Sequence, residues 1–408
     1  MSTSYPLHKI KVVLLEQIHP QAVHVFESAG FQVELHDRAY QGEELLSIAG
    51  DAHILGIRSK TKLTASFFEN SKKLLGVGCF CIGTNQVDLT AAARAGVPVF
   101  NEAFSNTRSV AELVIAEIIS LHRKLTERSA LMHQGEWRKS AQGAHEIRGR
   151  TLGVVGYGRI GSQVSVLAEA MGMRVHFYDI SSVLPLGNAL RCDSLSALLA
   201  ESDVVTLHVP STPETKGMIG REEIAQMKRG SYLLNNARGD VVEISALVEA
   251  LENGHLAGAA VDVFPKEPAS NADRFTSPLQ GLSNVILTPH IGGSTLEAQR
   301  AIADSVSQRL TKYMNNGTTA SAVNLPQVQL PRLHKDHSRV LHYHKNVPGV
   351  LRQIHNITGE LNVNISAEYL QTEGEYAYMI IDLAQGHDQQ LRDQLLKIPE
   401  TIRIRTLW

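Results

Sequence analysis

Leu152-Gly153-Val154-Val155-Gly156-Tyr157-Gly158-Arg159-Ile160-Gly161 reads as an apolar strand that runs into a glycine turn and opens a helix. The helix covers Ile160 to Met171, a second strand occupies Arg174 to Tyr178, and the acidic residue Asp179 closes the unit. In this setting each glycine of G-x-G-x-x-G has a separate task. Gly156 allows the tight turn, Gly158 lets a pyrophosphate approach the backbone, and Gly161 lets the helix lie close to the sheet. The helix start supplies free N–H groups and a favourable dipole for phosphate, and Arg159 and Ile160 sit at that start. Asp179, 23 residues beyond Gly156, is placed to accept hydrogen bonds from ribose hydroxyls. A 2′-phosphate would meet its charge, and neither Tyr178 nor Ile180 is a compensating base, so NAD is expected rather than NADP.

Working outward, apolar runs recur at Val204–Leu207, Tyr232–Leu234, Ala259–Val261 and Val285–Leu287 with helical segments between most of them. That rhythm is the one a mostly parallel sheet requires. Residues 105–292 are therefore expected to be a Rossmann-type, doubly wound NAD-binding domain. Residues 1–104, with strands at 11–15, 52–57 and 97–100, read as a second, flavodoxin-like α/β domain that binds substrate and is completed by 293–320. A long helix over 109–135, with Ser109 as N-cap and Glu112 three residues on, would lead from one to the other. Residues 324–336, with Pro326 and Pro331 and little periodicity, read as a linker. Residues 337–408 then follow the order strand, helix, strand, strand, helix, strand of a ferredoxin-like βαββαβ domain.

Composition narrows the function. The chain has 408 residues, 43% hydrophobic and 20% charged, which suits several globular domains. Lys plus Arg, 39, nearly balance Asp plus Glu, 41, so nucleic acid is a poor partner. No signal-like start or long apolar run is present, and a cytoplasmic protein without membrane contact is expected. Cys79, Cys81 and Cys192 cannot form a disulfide framework. Cys79 and Cys81 are one residue apart and follow an apolar run, so buried thiols and no metal are expected.

Three polar residues follow apolar strands of the NAD-binding domain: Arg238 after Asn236-Ala237, Glu267 beyond Asp262, and His290 before Ile291-Gly292-Gly293. Loops at the carboxyl ends of such strands converge on the ligand crevice. A guanidinium at Arg238 can grip a substrate carboxylate through two parallel hydrogen bonds. An imidazole at His290 can take the hydroxyl proton as hydride leaves the adjoining carbon, and Glu267 can orient it and favour its protonated form. Asp262 is placed to contact the nicotinamide amide or to cap a turn. Asn236, Ala237, Arg238, Asp262, His290, Ile291, Gly292 and Gly293 thus join the glycine loop as expected cofactor contacts.

With these residues, the stretches Gly78-Cys79-Phe80-Cys81-Ile82-Gly83-Thr84-Asn85-Gln86-Val87-Asp88, Phe104 to Glu112, Ala260 to Pro265 and Thr288 to Ser294 resemble the D-isomer-specific 2-hydroxy acid dehydrogenases. The resemblance implies Arg238, Glu267 and His290 as the catalytic set. It also implies NAD-dependent oxidation of D-3-phosphoglycerate to 3-phosphohydroxypyruvate, the first committed step of L-serine biosynthesis. A tail domain of the ACT type would bind L-serine and lower activity in a homotetramer with paired tails. His342 to Val350 carries that match, with His344, Asn346 and Asn364 as effector-binding residues. Ser105, Asn106 and Thr107 would line the substrate cleft. Arg58, Lys60 and Lys139 would hold the phosphate, because the carboxylate already occupies Arg238. Lys60 stands where arginine is more familiar, and lysine keeps the charge without the fork geometry. A glyoxylate, hydroxypyruvate or 2-hydroxyglutarate enzyme would share the same core. A non-catalytic NAD-binding corepressor is a different class, and the joint presence of Arg238, Glu267 and His290 argues against it.

Overall fold

Runs of β-branched and small residues separated by amphipathic helices build two parallel sheets, and the C-terminal alternation builds an antiparallel one. The computed structural model describes residues 6–102, 104–268, 273–334, 336–384 and 386–407. Contacts divide the chain into two units, Met1–Ser105 with Gln299–Trp408, and Asn106–Ala298.

The first unit begins with β1 (Lys11–Leu14), α1 (Gln21–Ser28), β2 (Gln32–Leu35), α2 (Gly42–Ala49), β3 (Ile54–Ile57), α3 (Ala65–Asn70), β4 (Gly76–Cys79), α4 (Leu89–Arg94) and β5 (Val99–Asn101). The five strands are parallel in the order β2-β1-β3-β4-β5, the flavodoxin-like order, and β3 and β4 are buried throughout. Val13, Leu55 and Phe67 fill one face, while Val12, Phe26 and Phe100 fill the other.

The second unit contains α5 (Thr107–Arg123), α6 (Leu125–His133), β6 (Thr151–Val155), α7 (Arg159–Ala170), β7 (Arg174–Tyr178), β8 (Leu190–Arg191), α8 (Leu195–Glu201), β9 (Val204–Leu207), α9 (Arg221–Gln226), β10 (Ser231–Asn235), α10 (Ile244–Glu252), β11 (Leu256–Val261) and β12 (Val285–Leu287). All seven strands are parallel in the order β12-β11-β10-β9-β6-β7-β8, so the strand order reverses between β6 and β9. The expectation of one helix over 109–135 needs correction. Asn106, not Ser109, is the N-cap residue, and the helix breaks at Lys124, which takes a left-handed conformation with φ 52°. Ser109 sits within the first turn, where its Oγ lies 2.8 Å from that of Thr295.

Back in the first unit, the helix α11 (Leu296–Asn316) sends Val306, Leu310 and Tyr313 into the core of the five-stranded sheet. The C-terminal elements are β13 (His337–Lys345), α12 (Val350–Glu360), β14 (Ile365–Glu373), β15 (Tyr376–Ala384), α13 (Asp388–Leu395) and β16 (Thr401–Leu407). They make an antiparallel sheet in the order β14-β15-β13-β16, the expected βαββαβ layout. One face, with Val340, Met379 and Ile381, packs on α12 and α13. Tyr343, Tyr378 and Ile380 on the other face share a cluster with Ala93, Leu325, Val328 and Leu330.

That last contact corrects the reading of 324–336 as a plain linker. Leu325, Val328 and Leu330 are buried, and the side chain of Asn324 accepts from the Val99 N–H and donates to the Val97 carbonyl. Residues 325–330 are irregular around Pro326, yet burial of these three leucine and valine side chains fixes them. The buried pair Arg339–Asp382 extends the junction, since Arg339 also donates to the carbonyls of Asn316 and Pro331. Among the described residues, no helix is long and apolar enough to cross a membrane.

Candidate active site

β10, β11 and β12 are neighbours in the sheet, so the segments after them open on the same carboxyl-end edge. Arg238 follows β10, Asp262 and Glu267 follow β11, and His290 follows β12. The structure brings Glu267 and His290 together. Nδ1 of His290 lies 2.9 Å from Oε2 and 3.0 Å from Oε1 of Glu267. A carboxylate can only accept, so Nδ1 carries the hydrogen and Nε2 is left able to accept one. The hydrogen bond and charge of Glu267 raise the His290 pKa above its ordinary value near 6.5, against the opposing effect of burial. Burial pushes the Glu267 carboxyl up, but His290, the Phe264 N–H at 3.2 Å and the charge of Arg238 together hold it below its usual range.

Asp262 explains how His290 is held. Its buried carboxylate accepts from the Thr288 hydroxyl at 2.6 Å and from the N–H groups of Ile291 and Gly292 at 2.8 Å each. The His290 N–H donates to the Asp262 carbonyl at 2.8 Å, and His290 itself sits at φ 54°, in the left-handed region. A histidine persists there only because its surroundings over-determine the turn. Arg238 is half-buried, with Nη1 donating to the Ala237 carbonyl at 2.7 Å. Asn235 fixes the preceding turn by donating to the Arg238 carbonyl and accepting from the Ala237 N–H.

At the glycine loop, Gly156 has φ 88°, and a Cβ there would lie 2.6 Å from the His208 carbonyl oxygen. Gly161 approaches the Gly156 carbonyl so closely that no side chain fits, whereas a Cβ on exposed Gly158 would meet nothing within 4 Å. This open backbone beside the start of α7 is the cradle a pyrophosphate needs, and NAD fits it. Arg159 is exposed and Ile160 half-buried at the same helix start. Asp179 accepts from the N–H groups of Tyr157 and Ser181 at 2.8 Å each, and each oxygen keeps a second lone pair for a ribose hydroxyl.

The predicted substrate residues fall in both units. In the first, Glu16 is buried and its carboxylate accepts from the N–H groups of Arg58, Lys60 and Thr61, shaping the loop that presents two of the cations. Arg58 is half-buried and Lys60 exposed. The Ser105 N–H donates to Glu102. In the second unit Asn106 is buried beside Gly293, Thr107 opens α5, and Lys139 lies on the exposed segment after α6. The predicted effector residues do not converge within one chain. His344 is buried, with Nδ1 2.9 Å from the Lys345 carbonyl, and Asn346 donates to the Gly374 carbonyl at the β14–β15 turn. Asn364 stands before Ile365, at the opposite end of the sheet.

Sequence reasoning missed Glu16 and Glu117. The buried Glu117 accepts from the Asn236 amide at 3.0 Å, and burial lifts its carboxyl to about 8. Its signal was available, because Val110, Val114, Glu117 and Leu121 fall at helical spacing on one buried stripe.

Adjoining loops that present arginine, glutamate and histidine beside a dinucleotide cradle define a nicotinamide-dependent 2-hydroxy acid dehydrogenase. Residues 115–292 match the family described as D-isomer specific 2-hydroxyacid dehydrogenase, NAD binding domain, and residues 340–403 match the AHAS small subunit-like ACT domain. The chain is 52% identical over 407 residues to D-3-phosphoglycerate dehydrogenase of Dictyostelium discoideum, covering 100% of this chain and 99% of that one. The same enzyme of Escherichia coli is 52% identical over 403 residues, with 98% of each covered. Among solved structures, D-lactate dehydrogenase of Aquifex aeolicus with NAD and lactic acid superposes with a TM-score of 0.63 at 28% identity, over 74% of this chain and 95% of that one. The chain belongs to the D-3-phosphoglycerate dehydrogenase family of NAD-dependent 2-hydroxyacid dehydrogenases, with an ACT-type C-terminal domain.

Proposed function

We propose that the chain oxidises D-3-phosphoglycerate to 3-phosphohydroxypyruvate, with NAD as acceptor, at the head of L-serine synthesis. The observation that carries this reading is the His290–Glu267 pair on the same sheet edge as Arg238, in a chain that matches its relatives end to end. Bound NAD supplies the hydride acceptor. Arg238 holds the substrate carboxylate and His290 Nε2 takes the hydroxyl proton, giving a ketone, NADH and one proton released in balance. Arg58, Lys60 and Lys139 are the cations proposed for the phosphate. NADH production across a panel with and without phosphate tests this: 3-phosphoglycerate, D-glycerate, D-lactate and 2-hydroxyglutarate. We expect 3-phosphoglycerate to lead, and Arg58→Ala to raise its KM at least about 10-fold while moving D-glycerate little, since charge-assisted hydrogen bonds to ionised groups are the strong ones. Equal losses on both acids would discard the phosphate assignment, and a preference for 2-hydroxyglutarate would replace the substrate.

The ACT-type domain is proposed to bind L-serine between two copies in a homotetramer. β14 is an edge strand of nine residues, so Asn346 and Asn364 lie about 25–30 Å apart along one sheet. Twofold antiparallel pairing of two β14 edges would cover both edges and bring Asn364 of the partner subunit to the end that holds Asn346. Serine would then favour one arrangement of domains by binding it more tightly. Full-length Asn346→Ala and Asn364→Ala are each expected to keep basal NADH production and to need at least about 10-fold more serine for half inhibition. Inhibition unchanged in both variants would remove these residues from the effector site.

A further inference from the structure

Far along the same sheet from the catalytic loops, β7, the short edge strand β8 and the end of α8 bring three unlike side chains together. His176 lies on β7, Cys192 directly follows β8, and Glu201 ends α8. Their ligand atoms all fall within 4.8 Å of one another, with His176 Nδ1 3.0 Å from Glu201 Oε2. Although that pair is close, Nδ1 is buried and makes no hydrogen bond among the described residues, so the carboxylate oxygen is near the nitrogen but off the line of an N–H. Two ligand atoms that converge on a common cation adopt this relation.

We propose that His176, Cys192 and Glu201 form a site for a divalent transition-metal ion of the zinc type, with its fourth position open to water. The donor set selects the class: imidazole and thiolate suit zinc and cobalt, whereas magnesium and calcium take oxygen alone. Tetrahedral zinc needs its ligand atoms roughly 3.3–3.8 Å apart, given bonds of about 2.0–2.3 Å. Glu201 has an exposed side chain at a helix end and can adjust its own distance to the ion. A thiol must lose its proton to ligate the ion, so binding tightens as pH rises.

The ion would act as a staple. β8 has two residues, and beyond its register with His176 and Phe177 it is held by the Cys192 N–H to the Phe177 carbonyl. Arg191, beside Cys192, donates to the Asp179 carbonyl. A cation on Cys192 would therefore fix the sheet edge next to Asp179, the residue proposed for the adenosine ribose.

Titration of the full-length, tag-free protein with cobalt chloride tests the site. One equivalent per chain is expected to produce near-ultraviolet thiolate-to-cobalt absorption that zinc abolishes and that is absent in Cys192→Ser. Glu201→Gln and His176→Gln are expected to weaken cobalt at least about 10-fold, the loss that even outer-shell changes cause. NADH production, which uses none of the three residues, reports that each variant is folded. No absorption in the parent protein, or absorption that survives Cys192→Ser and so belongs to Cys79 or Cys81, overturns the proposal. Should Cys192→Ser fail to fold, the exposed Glu201→Gln decides alone, and unchanged cobalt affinity there overturns it.

Discussion

Replacing His290 by asparagine is expected to slow the chemical step at least about 100-fold at saturating substrate while leaving NAD binding intact. The variant removes the nitrogen that exchanges the proton, and the glycine loop after β6 does not depend on it. The partner variant Glu267→Gln separates orientation from charge. The amide oxygen of the new side chain could still accept from Nδ1, but the charge that raises the His290 pKa would be gone. His290 must be neutral to take a proton, so oxidation in the parent protein rises with pH through that raised value and reduction falls through it. In Glu267→Gln the oxidation limb should move to lower pH, toward or below the ordinary histidine value near 6.5, with a lower plateau. Rapid-mixing measurement of NADH formation across pH reads both effects. An unchanged rate in His290→Asn would exclude it as the acid or base, and an unmoved limb in Glu267→Gln would assign that titration to another group.

The residues legible in sequence were those whose chemistry is tied to a local pattern. Gly156, Gly158 and Gly161 are read from spacing, and Arg238, Glu267 and His290 from their position after apolar runs. The strands β7, β9 and β12 could be bounded to the residue because Asp, Gly or Pro flank their apolar cores. What was hidden depends on partners distant in sequence. Nothing local distinguishes Glu16, yet it shapes a loop more than forty residues away. The break at Lys124 is silent because lysine is an ordinary helix former and no glycine marks the left-handed position. The prolines of 324–336 announced irregular backbone correctly, but burial of Leu325, Val328 and Leu330 depends on a sheet built from later residues. Likewise β8 is too short to carry a periodicity, and β2 is mostly exposed, so neither stood out as an apolar run.

Asp262 and Glu117 show a second limit. Both are buried acids, and only the fold reveals that one spends its carboxylate on the His290 turn while the other lies under Asn236 with its carboxyl pushed up. Arg238, Glu267 and His290 are therefore carried by a layer of buried polar groups whose hydrogen bonds set loop geometry. Such groups are costly when left unpaired, which makes the layer stiff.

A change with no charge and a single added methyl group, Gly239→Ala, is expected to lower kcat/KM at least about 100-fold. A Cβ at position 239 would overlap the carbonyl carbon and oxygen of Phe264 and press on the Pro265 nitrogen. These are backbone atoms, so no side chain can swing away to make room. Arg238 lies on one side of this contact, and on the other Phe264 donates its N–H to Glu267, which in turn holds His290. Relief must push the arginine loop and the glutamate loop apart, and displacement of about 1 Å is enough to cost about 100-fold in rate. NAD binding, measured by quenching of protein fluorescence, should change much less, because Gly156 to Gly161 follow a different strand. Circular dichroism and the melting temperature check that the variant is folded. The distinguishing readout is the pH profile: as Glu267 loosens, the oxidation limb should drift toward the ordinary histidine value, an effect that general destabilisation does not produce. Turnover within about twofold of the parent would show that the two loops tolerate separation, and a slow variant with an unmoved limb would confine the damage to Arg238.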